Sequence, residues 1–153
     1  MWFNHLVKLK IAWIGKTRDA SIQALTHDYL KRIARYTEAE GLALPNEAAL
    51  LKLRERSGTR PAHTIVLLDS LGKQLSSVEF AKFLETHQDR NPQPLVLAIG
   101  PADGFSPETR KAASAMLSFG KMTLPHELAR IILLEQVYRA FTILKGHPYH
   151  TGH

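Results

Sequence analysis

The sequence predicts an α/β protein in which a mostly parallel sheet carries helices on both faces. Runs with a strand pattern alternate with helical patterns, as is typical of parallel strands joined by helices. Two runs, residues 63–69 and 94–100, are apolar almost throughout, which indicates strands buried on both faces. A chain of 153 residues has the usual length of one compact domain. We therefore expect residues 1–153 to form a single domain.

Five elements are predicted in the first half of the chain. Residues 6–15 alternate apolar and basic side chains and predict a strand, whereas residues 20–40 have helical periodicity. A short strand can follow at residues 41–45. Asn46 is a suitable N-cap for a helix over residues 46–57, and the first buried strand comes next.

The second half continues the alternation. Ser76 and Glu79 have the spacing of a capping box, so a helix is predicted to begin there. After the second buried strand, Ser106 as N-cap and Pro107 at the first helical position predict a helix over residues 106–119. A short strand is expected at residues 121–124, directly before a closing helix.

The closing helix, residues 127–144, is apolar around nearly its whole circumference. Such a helix must be covered on more than one side, either by a second copy of the chain or as the central helix of one domain. Glu135 and Arg139 are one helical turn apart, in the favourable order for an ion pair.

Composition restricts the kinds of function and site that the protein can have. Twenty Lys and Arg against fourteen Asp and Glu give a net charge of +6, which favours a polyanionic partner. The absence of cysteine excludes disulfides, thiolate nucleophiles and cysteine-ligated zinc. The apolar N-terminal run is broken by Lys8 and Lys10, is too short to span a membrane and lacks a small-residue cleavage site. These features predict a cytoplasmic protein.

The loops that follow the buried strands are the places to expect a ligand, because open α/β sheets bind ligands at the carboxyl ends of their strands. In residues 98–108, Gly100 and Gly104 bracket a turn that leads into a helix N-terminus. The glycines are equally consistent with a simple turn. The loop after the first strand has a single glycine, which argues against a dinucleotide fold, and a nucleotide-phosphate loop is absent.

The tail after the closing helix contains His147, Tyr149 and His150, which can exchange protons, donate hydrogen bonds or stack on a base. The two histidines lack a neighbouring carboxylate or cysteine, so no metal site is expected. A substrate-facing tail and a disordered tail are the main alternatives.

Several segments together resemble a known family. They are KLKIAWIGK, DYLKRI, LLDSLGKQLSSVEFA, LAIGPADGFS and MTLPHELARIILLEQVYRAFTILKGHPYH, and they cover residues 8–150. This combination resembles the large-subunit ribosomal RNA methyltransferase H family of the knotted SPOUT class. The last third of the chain is the most specific part of the match, and residues 42–59 match less well.

The resemblance implies an S-adenosylmethionine-dependent homodimer that methylates N3 of a pseudouridine in large-subunit (23S) rRNA on assembled ribosomes. It also implies a C-terminal trefoil knot that binds the cofactor. Carried over by position, the residues that contact the cofactor would be Leu68, Gly100, Phe119, Gly120, Lys121, Met122, Thr123 and Leu124.

The same resemblance suggests catalytic roles for residues near the C-terminus. His147 or His150 could act as the base that removes the N3 proton, while Tyr149 orients or stacks on the substrate base. Arg139 could hold an anionic oxygen or simply pair with Glu135. Phosphate contacts would come from Lys16, Arg18, Lys31, Arg32 and Arg35, although a solvated helix face is the default explanation for the last three.

The chain departs from the family pattern in two places. Pro101 replaces the usual second glycine and removes one N–H donor, and Thr151 stands where the family has an arginine. Two alternatives therefore accompany the family prediction. One is a knotted methyltransferase with another nucleotide or a ribose as target, and the other is a ribosome-binding module without turnover.

Overall fold

The computed structural model describes residues 8–147 and residue 149. Five parallel strands form one sheet in the order β2-β1-β4-β3-β5. The strands are β1 (Leu9–Ile14), β2 (Ala39–Leu44), β3 (Thr64–Gln74), β4 (Leu95–Ile99) and β5 (Ala115–Ser118). The helices are α1 (Ala20–Ile33), α2 (Glu47–Lys52), α3 (Ser77–Arg90), α4 (Pro107–Ala112) and α5 (His126–Leu144). The predicted α/β class with a parallel sheet is confirmed.

The helix starts follow the capping residues that the sequence indicates. Asn46 accepts from the backbone N–H of Ala49 at 2.9 Å and begins α2. At the start of α3, Ser76 and Glu79 form both hydrogen bonds of a capping box. Ser106 caps α4, with Pro107 at its first position. Each cap accepts from an N–H group that has no partner within its helix, so local chemistry alone determines these boundaries.

The predictions for residues 106–124 are wrong in two respects. The helix predicted over residues 106–119 ends at Ala112, and the fifth strand is Ala115–Ser118 rather than residues 121–124. Residues 115–117 have an acceptable helical pattern, but they complete the sheet by pairing in parallel with β3. Pairing with a distant strand overrides local helix propensity here. Likewise, α1 ends at Ile33 rather than at residue 40, because β2 begins at Ala39.

Alternating residues of the buried strands supply two separate cores. On one face, Ile11, Trp13 and Leu97 pack with α1, α3 and α5. On the other face, Ala12 and Val96 pack with residues of α2 and with the loop before α4. The predicted arrangement of helices on both faces is therefore present.

Helix α5 is the central helix of the larger core. It lies between α1 and α3 against the sheet, and nine of its nineteen residues are buried. Much of its apolar circumference is thus covered within one chain, as the second of the two alternatives predicts, whereas Leu128 stays exposed and leaves contact with a second copy a prediction. No helix among the described residues is long and apolar enough to cross a bilayer.

Candidate functional site

A cavity of about 290 Å³ opens at the carboxyl ends of β3 and β4. Its walls come from the end of β3, the glycine loop after β4 and the segment that joins β5 to α5. A second cavity, of about 650 Å³, adjoins it and shares Leu68 and part of the same segment. The eight residues predicted to contact a cofactor line one or both cavities: Leu68, Gly100, Phe119, Gly120, Lys121, Met122, Thr123 and Leu124.

An irregularity in β3 shapes the first wall. The register between β3 and β5 shifts between Leu68 and Lys73, so the four intervening residues leave the ladder. Gly72 lies so close to β5 that an added Cβ would be 2.6 Å from the backbone nitrogen of Leu117. Only glycine permits this approach. The bulge places Asp69 and Ser70 at the cavity.

The glycine loop forms the second wall. The N–H of Gly104 donates to the carbonyl of Pro101 at 2.9 Å, and Gly104 has a φ of +84°, which favours glycine. Gly100 leaves room for the ring of Phe105, which would otherwise meet a Cβ at 3.0 Å. The glycines therefore have structural roles in the loop.

Glu47 of α2 holds the end of this loop. Its carboxylate accepts from the backbone N–H and the hydroxyl of Ser106, at 3.1 and 3.0 Å. Burial raises the pKa of Glu47, but hydrogen bonds with Thr109 and Ser106 outweigh burial and leave the pKa below its usual value. The carboxylate is therefore charged at neutral pH and anchors the loop to α2, which packs in the same core.

A buried ion pair joins the first two walls. Asp69, whose side chain is 2% exposed, accepts from Nε of Arg110 at 3.0 Å and from the backbone N–H of Leu71 at 2.9 Å. Both charged side chains line the smaller cavity. The pair connects β3 to α4, the helix that follows the glycine loop.

The third wall, residues 118–124, presents backbone and apolar side chains. Gly120 has a φ of +133°, and the hydroxyl of Ser118 both donates to its carbonyl and accepts from its N–H. Among the described residues, no atom accepts from the N–H groups of Met122 and Leu124. The Met122 side chain is 86% exposed. This segment offers free donors beside apolar side chains, which suits a flat polar ring.

The candidate catalytic residues form a second cluster, around Glu135. Arg139 donates from Nη2 to Oε2 of Glu135 at 2.7 Å, which confirms the predicted ion pair. The hydroxyl of Tyr149 donates to the same oxygen at 2.9 Å, and the Arg139 guanidinium lies 5.1 Å from the Tyr149 ring centroid. The Tyr149 ring also packs edge-on against Tyr138. Tyr149 is thus docked on α5.

Protonation in this cluster follows from its contacts. Burial and the hydrogen bond to Glu135 raise the pKa of Tyr149, so its phenol is a donor rather than a base. The hydrogen bond from Arg139 to Glu135 raises the pKa of Arg139. His147 is exposed, and its Nδ1 accepts from the backbone N–H of Tyr149 at 3.3 Å. His150 lies outside the described residues.

The two groups of predicted site residues lie apart in the described chain. Arg139, His147 and Tyr149 line neither of the two cavities. Thirteen residues separate His126, at the smaller cavity, from Arg139, which corresponds to about 20 Å along a helix axis. The smaller cavity therefore lies near the start of α5 and the catalytic candidates lie near its end, whereas the larger cavity extends along α5 as far as Gln136, the neighbour of Glu135.

Sequence reasoning missed several polar residues of the smaller cavity, among them Asp69, Arg110 and His126. Asp69 directly follows a buried strand, and that position was a usable signal. Arg110 is 41 residues away from Asp69, and nothing in the sequence connects the two. His126 is the first residue of α5, follows the N-cap residue Pro125 and lines the cavity. Among residues 8–147 and 149, no three metal-binding side chains come together.

Comparison with known proteins identifies the fold and the family. The family model described as "Predicted SPOUT methyltransferase" matches residues 7–150. A protein named ribosomal RNA large subunit methyltransferase H from Koribacter versatilis is 57% identical, and the alignment covers 96% of this chain and 100% of that protein. The chain belongs to the ribosomal RNA large subunit methyltransferase H family of SPOUT methyltransferases.

Further comparisons agree with this assignment. A methyltransferase H from Geotalea daltonii is 42% identical, over 94% of this chain and 99% of that protein. A solved structure from Porphyromonas gingivalis, assigned to the TrmH family of RNA methyltransferases, has a TM-score of 0.50 at 12% sequence identity. That match covers 86% of this chain and 60% of the other, and it supports the SPOUT fold. The predicted family and fold class are confirmed.

Proposed function

We propose that this SPOUT methyltransferase uses S-adenosylmethionine to methylate N3 of a pseudouridine in large-subunit rRNA on the ribosome. The observation that carries the proposal is the convergence of three separate segments on one pair of cavities. The eight residues that the family resemblance assigns to the cofactor all line these cavities. The names of the relatives support the rRNA substrate.

The cavities fit the cofactor in size and chemistry. Their volumes, about 290 and 650 Å³, together fall within the range of small-molecule sites. Free N–H groups of residues 122 and 124 can hydrogen-bond an adenine ring, while Leu68 and Leu124 cover its faces. The Asp69 carboxylate is paired with Arg110, and Asp103 is a further acidic residue in the lining of the smaller cavity, which suits a cationic sulfonium. When bound, this cofactor supplies an activated methyl group.

The chain must then align the substrate and accept one proton. Tyr149 carries its proton and can donate a hydrogen bond or stack on the base. The Nδ1 of His147 accepts a long hydrogen bond from the backbone N–H of Tyr149, so this nitrogen carries a lone pair. It can accept the substrate proton once that hydrogen bond is broken. Arg139 can stabilise an anionic base once its guanidinium turns from Glu135 toward the substrate.

The separation of the two clusters supports a homodimer. A single chain places its catalytic candidates about 20 Å along α5 from the residues at the smaller cavity. Antiparallel packing of two copies of α5 would bring the tail of one chain to the cofactor cavity of the other. Leu128, on α5, and Leu25, on α1, are exposed apolar side chains suited to such a contact.

Other properties follow from the same proposal. The positive charge suits an rRNA partner, and a protein that modifies ribosomes acts in the cytoplasm. Residues 1–153 act as one methyltransferase domain. The trefoil knot stays a prediction of family membership.

Methyl transfer to ribosomes from a strain that lacks its own methyltransferase H tests the proposal. Labelled methyl groups are expected in large-subunit rRNA, and mass mapping of the nucleosides should place them on a pseudouridine base. Label on ribose or on another nucleotide would favour a different knotted methyltransferase activity. A folded protein that binds ribosomes but shows no calorimetric signal with S-adenosylmethionine would instead be a binding module.

A further inference from the structure

A cleft distinct from the two cofactor cavities contains an arginine whose charge has no carboxylate partner among the described residues. Arg130 is 1% exposed and is the largest fully buried side chain of the described chain. It lines a cleft of about 520 Å³ between the β1–α1 loop, α1 and β2. No acidic oxygen of the described residues lies within 4.0 Å of its guanidinium. A buried charge of this kind calls for a counter-charge.

The hydrogen-bonding capacity of Arg130 is mostly unused. Its guanidinium stacks on Trp13, 3.8 Å from the ring centroid, and this contact stabilises the charge through the face of the group. The five N–H donors point outward in the plane and are not satisfied by stacking. Among the described residues, the one acceptor is the hydroxyl of Thr26, 3.3 Å from Nη1, and the buried Nε has no partner.

Trp13 contributes a second unsatisfied donor to the same place. Its indole Nε1–H is buried without a partner, and the residue lines the cleft beside Arg130. Gly41 of β2 passes so close that a Cβ there would lie 2.8 Å from the ring, so the position of the indole is restricted. The Nε1–H of Trp13 and the Nε–H of Arg130 both lack acceptors, and both residues line the cleft. A ligand rich in oxygen atoms could supply the missing acceptors there.

The surroundings favour a negative ligand. Lys16 and Thr17 follow β1 and line the cleft, together with His27. The nearest acidic residue on α5, Glu127, is already occupied, because it accepts from the backbone N–H groups of Arg18 and Asp19 at 3.1 and 3.4 Å. Burial lowers the pKa of Arg130 and the charge of Glu127 opposes this shift, but an arginine remains protonated in proteins.

We propose that Trp13, Lys16 and Arg130 form a binding site for a single phosphate group of the substrate RNA backbone. Arginine offers paired N–H donors that match two oxygens of a phosphate, and the exposed Lys16 adds charge at the rim. The site and the smaller cavity are both next to the N-terminal part of α5, since Ala129 lines that cavity and Arg130, the next residue, lines the cleft. It would set the position of the RNA relative to the cofactor. This proposal rests on the proposed RNA substrate.

Nuclear magnetic resonance of the indole N–H groups tests the site directly. The chain has two tryptophans, so Trp2→Phe leaves the Trp13 signal alone. Titration with inorganic phosphate should shift this signal saturably, whereas sodium chloride at matched ionic strength should not. An rRNA stem-loop should produce the same shift at a much lower concentration. A signal that neither phosphate nor RNA moves would overturn the proposal and indicate donors satisfied by water alone.

RNA binding by variants of Lys16, at the rim of the cleft, and of Arg130, at its centre, provides the second measurement. Lys16→Ala should weaken RNA binding about three- to tenfold, and it should reduce the slope of log K against log salt by about 1. Lys52→Ala is the matched control, because it removes one positive charge from the exposed surface of α2. In this variant phosphate should shift the Trp13 indole signal as it does in the parent protein. Arg130→Lys should weaken the phosphate-induced shift, and Lys16→Ala keeps the test decisive if that core variant does not fold. Equal salt slopes for Lys16→Ala and the parent protein would contradict the proposal.

Methyl transfer by the same proteins separates the two proposals. If phosphate shifts the Trp13 signal but no methyl group is transferred to ribosomes, the proposed function is wrong and the anion site is retained. Methyl transfer to pseudouridine with no shift of the Trp13 signal would retain the function and remove the site.

Discussion

The hydroxyl group of Tyr149 lies 2.9 Å from Oε2 of Glu135, fourteen residues earlier in the chain. The same carboxylate oxygen accepts from Arg139 at 2.7 Å, so one acidic residue holds two of the candidate catalytic side chains. Glu135 also accepts from the side-chain amide of Gln136, which lines the larger cavity. Glu135 of α5 therefore holds Tyr149 and Arg139 together, and its carboxylate is paired with the Arg139 guanidinium.

Arg139→Ala should reduce methyl transfer about 100-fold or more while changing the affinity for S-adenosylmethionine less than threefold. The physical reason is that Arg139 lines neither cavity but can reach an anionic substrate base. Single-turnover rates and calorimetry provide the two quantities. Since the pair with Glu135 is partly exposed, unfolding should become easier by no more than about 1 kcal/mol. Equal losses of rate and cofactor affinity would assign Arg139 a folding role.

Mixed dimers should recover activity from two inactive parents. Purified heterodimers of Arg139→Ala with a variant that cannot bind cofactor should have about half of parental activity, because one of their two composite sites is then intact. Activity is measured on purified heterodimers carrying two different tags. Heterodimers no more active than either parent would mean that each chain uses its own tail, or that dimers do not form.

Gly120→Ala should weaken cofactor binding more than it weakens the fold. The φ of +133° is unfavourable for alanine, and the added methyl group meets no atom within 4 Å, so the cost is backbone strain at the third cavity wall. Gly58→Ala is the matched control, because Gly58 has a φ of +57° and open surroundings outside the cavities. Both variants should lose about 1–2 kcal/mol of unfolding free energy. Cofactor affinity, measured by calorimetry, should fall for Gly120→Ala alone.

Asp69→Asn should destabilise the protein by about 1–3 kcal/mol, because Arg110 would face a neutral amide in a buried setting. Adding Arg110→Met should recover part of the loss, since the unpaired charge is then removed. Urea unfolding of the two single variants and the double variant measures the coupling. Strictly additive losses would show that the ion pair does not join the two cavity walls energetically.

Stability should fall as the pH drops below the ordinary histidine pKa of 6.5, in part because of His63. Burial, followed by the charges of Lys10 and Arg60, holds the pKa of this ring below that value in the folded state, while the Pro61 carbonyl and Glu40 oppose the shift. The unfolded chain then binds the proton first, so acid favours unfolding. Urea unfolding between about pH 5 and 8 should show a smaller pH slope for His63→Asn, in which an amide can replace the hydrogen bond to Pro61. An unchanged slope would exclude His63 as the cause.

The residues near Ser106 show where local sequence is sufficient and where it fails. Ser106 and Pro107 correctly indicate the start of α4, because a cap and the first turn involve neighbouring residues only. The end of that helix was mispredicted. Residues 115–118 form β5 because β3 offers an open edge, and no local pattern reveals that edge.

The candidate site likewise has features that the sequence predicts and features that only the tertiary structure reveals. Patterns along the chain were enough to identify the α/β class, the glycine loop, the Glu135–Arg139 pair and, through resemblance, the cofactor segment. Tertiary structure alone brought Asp69 to Arg110, and it placed Trp13 beside Arg130, which is 117 residues away. Spacing along one helix or one turn determines contacts between near neighbours, whereas contacts between distant residues depend on how the sheet packs its helices. For that reason the family and the cavity could be predicted from sequence, and the buried, unpaired arginine could not.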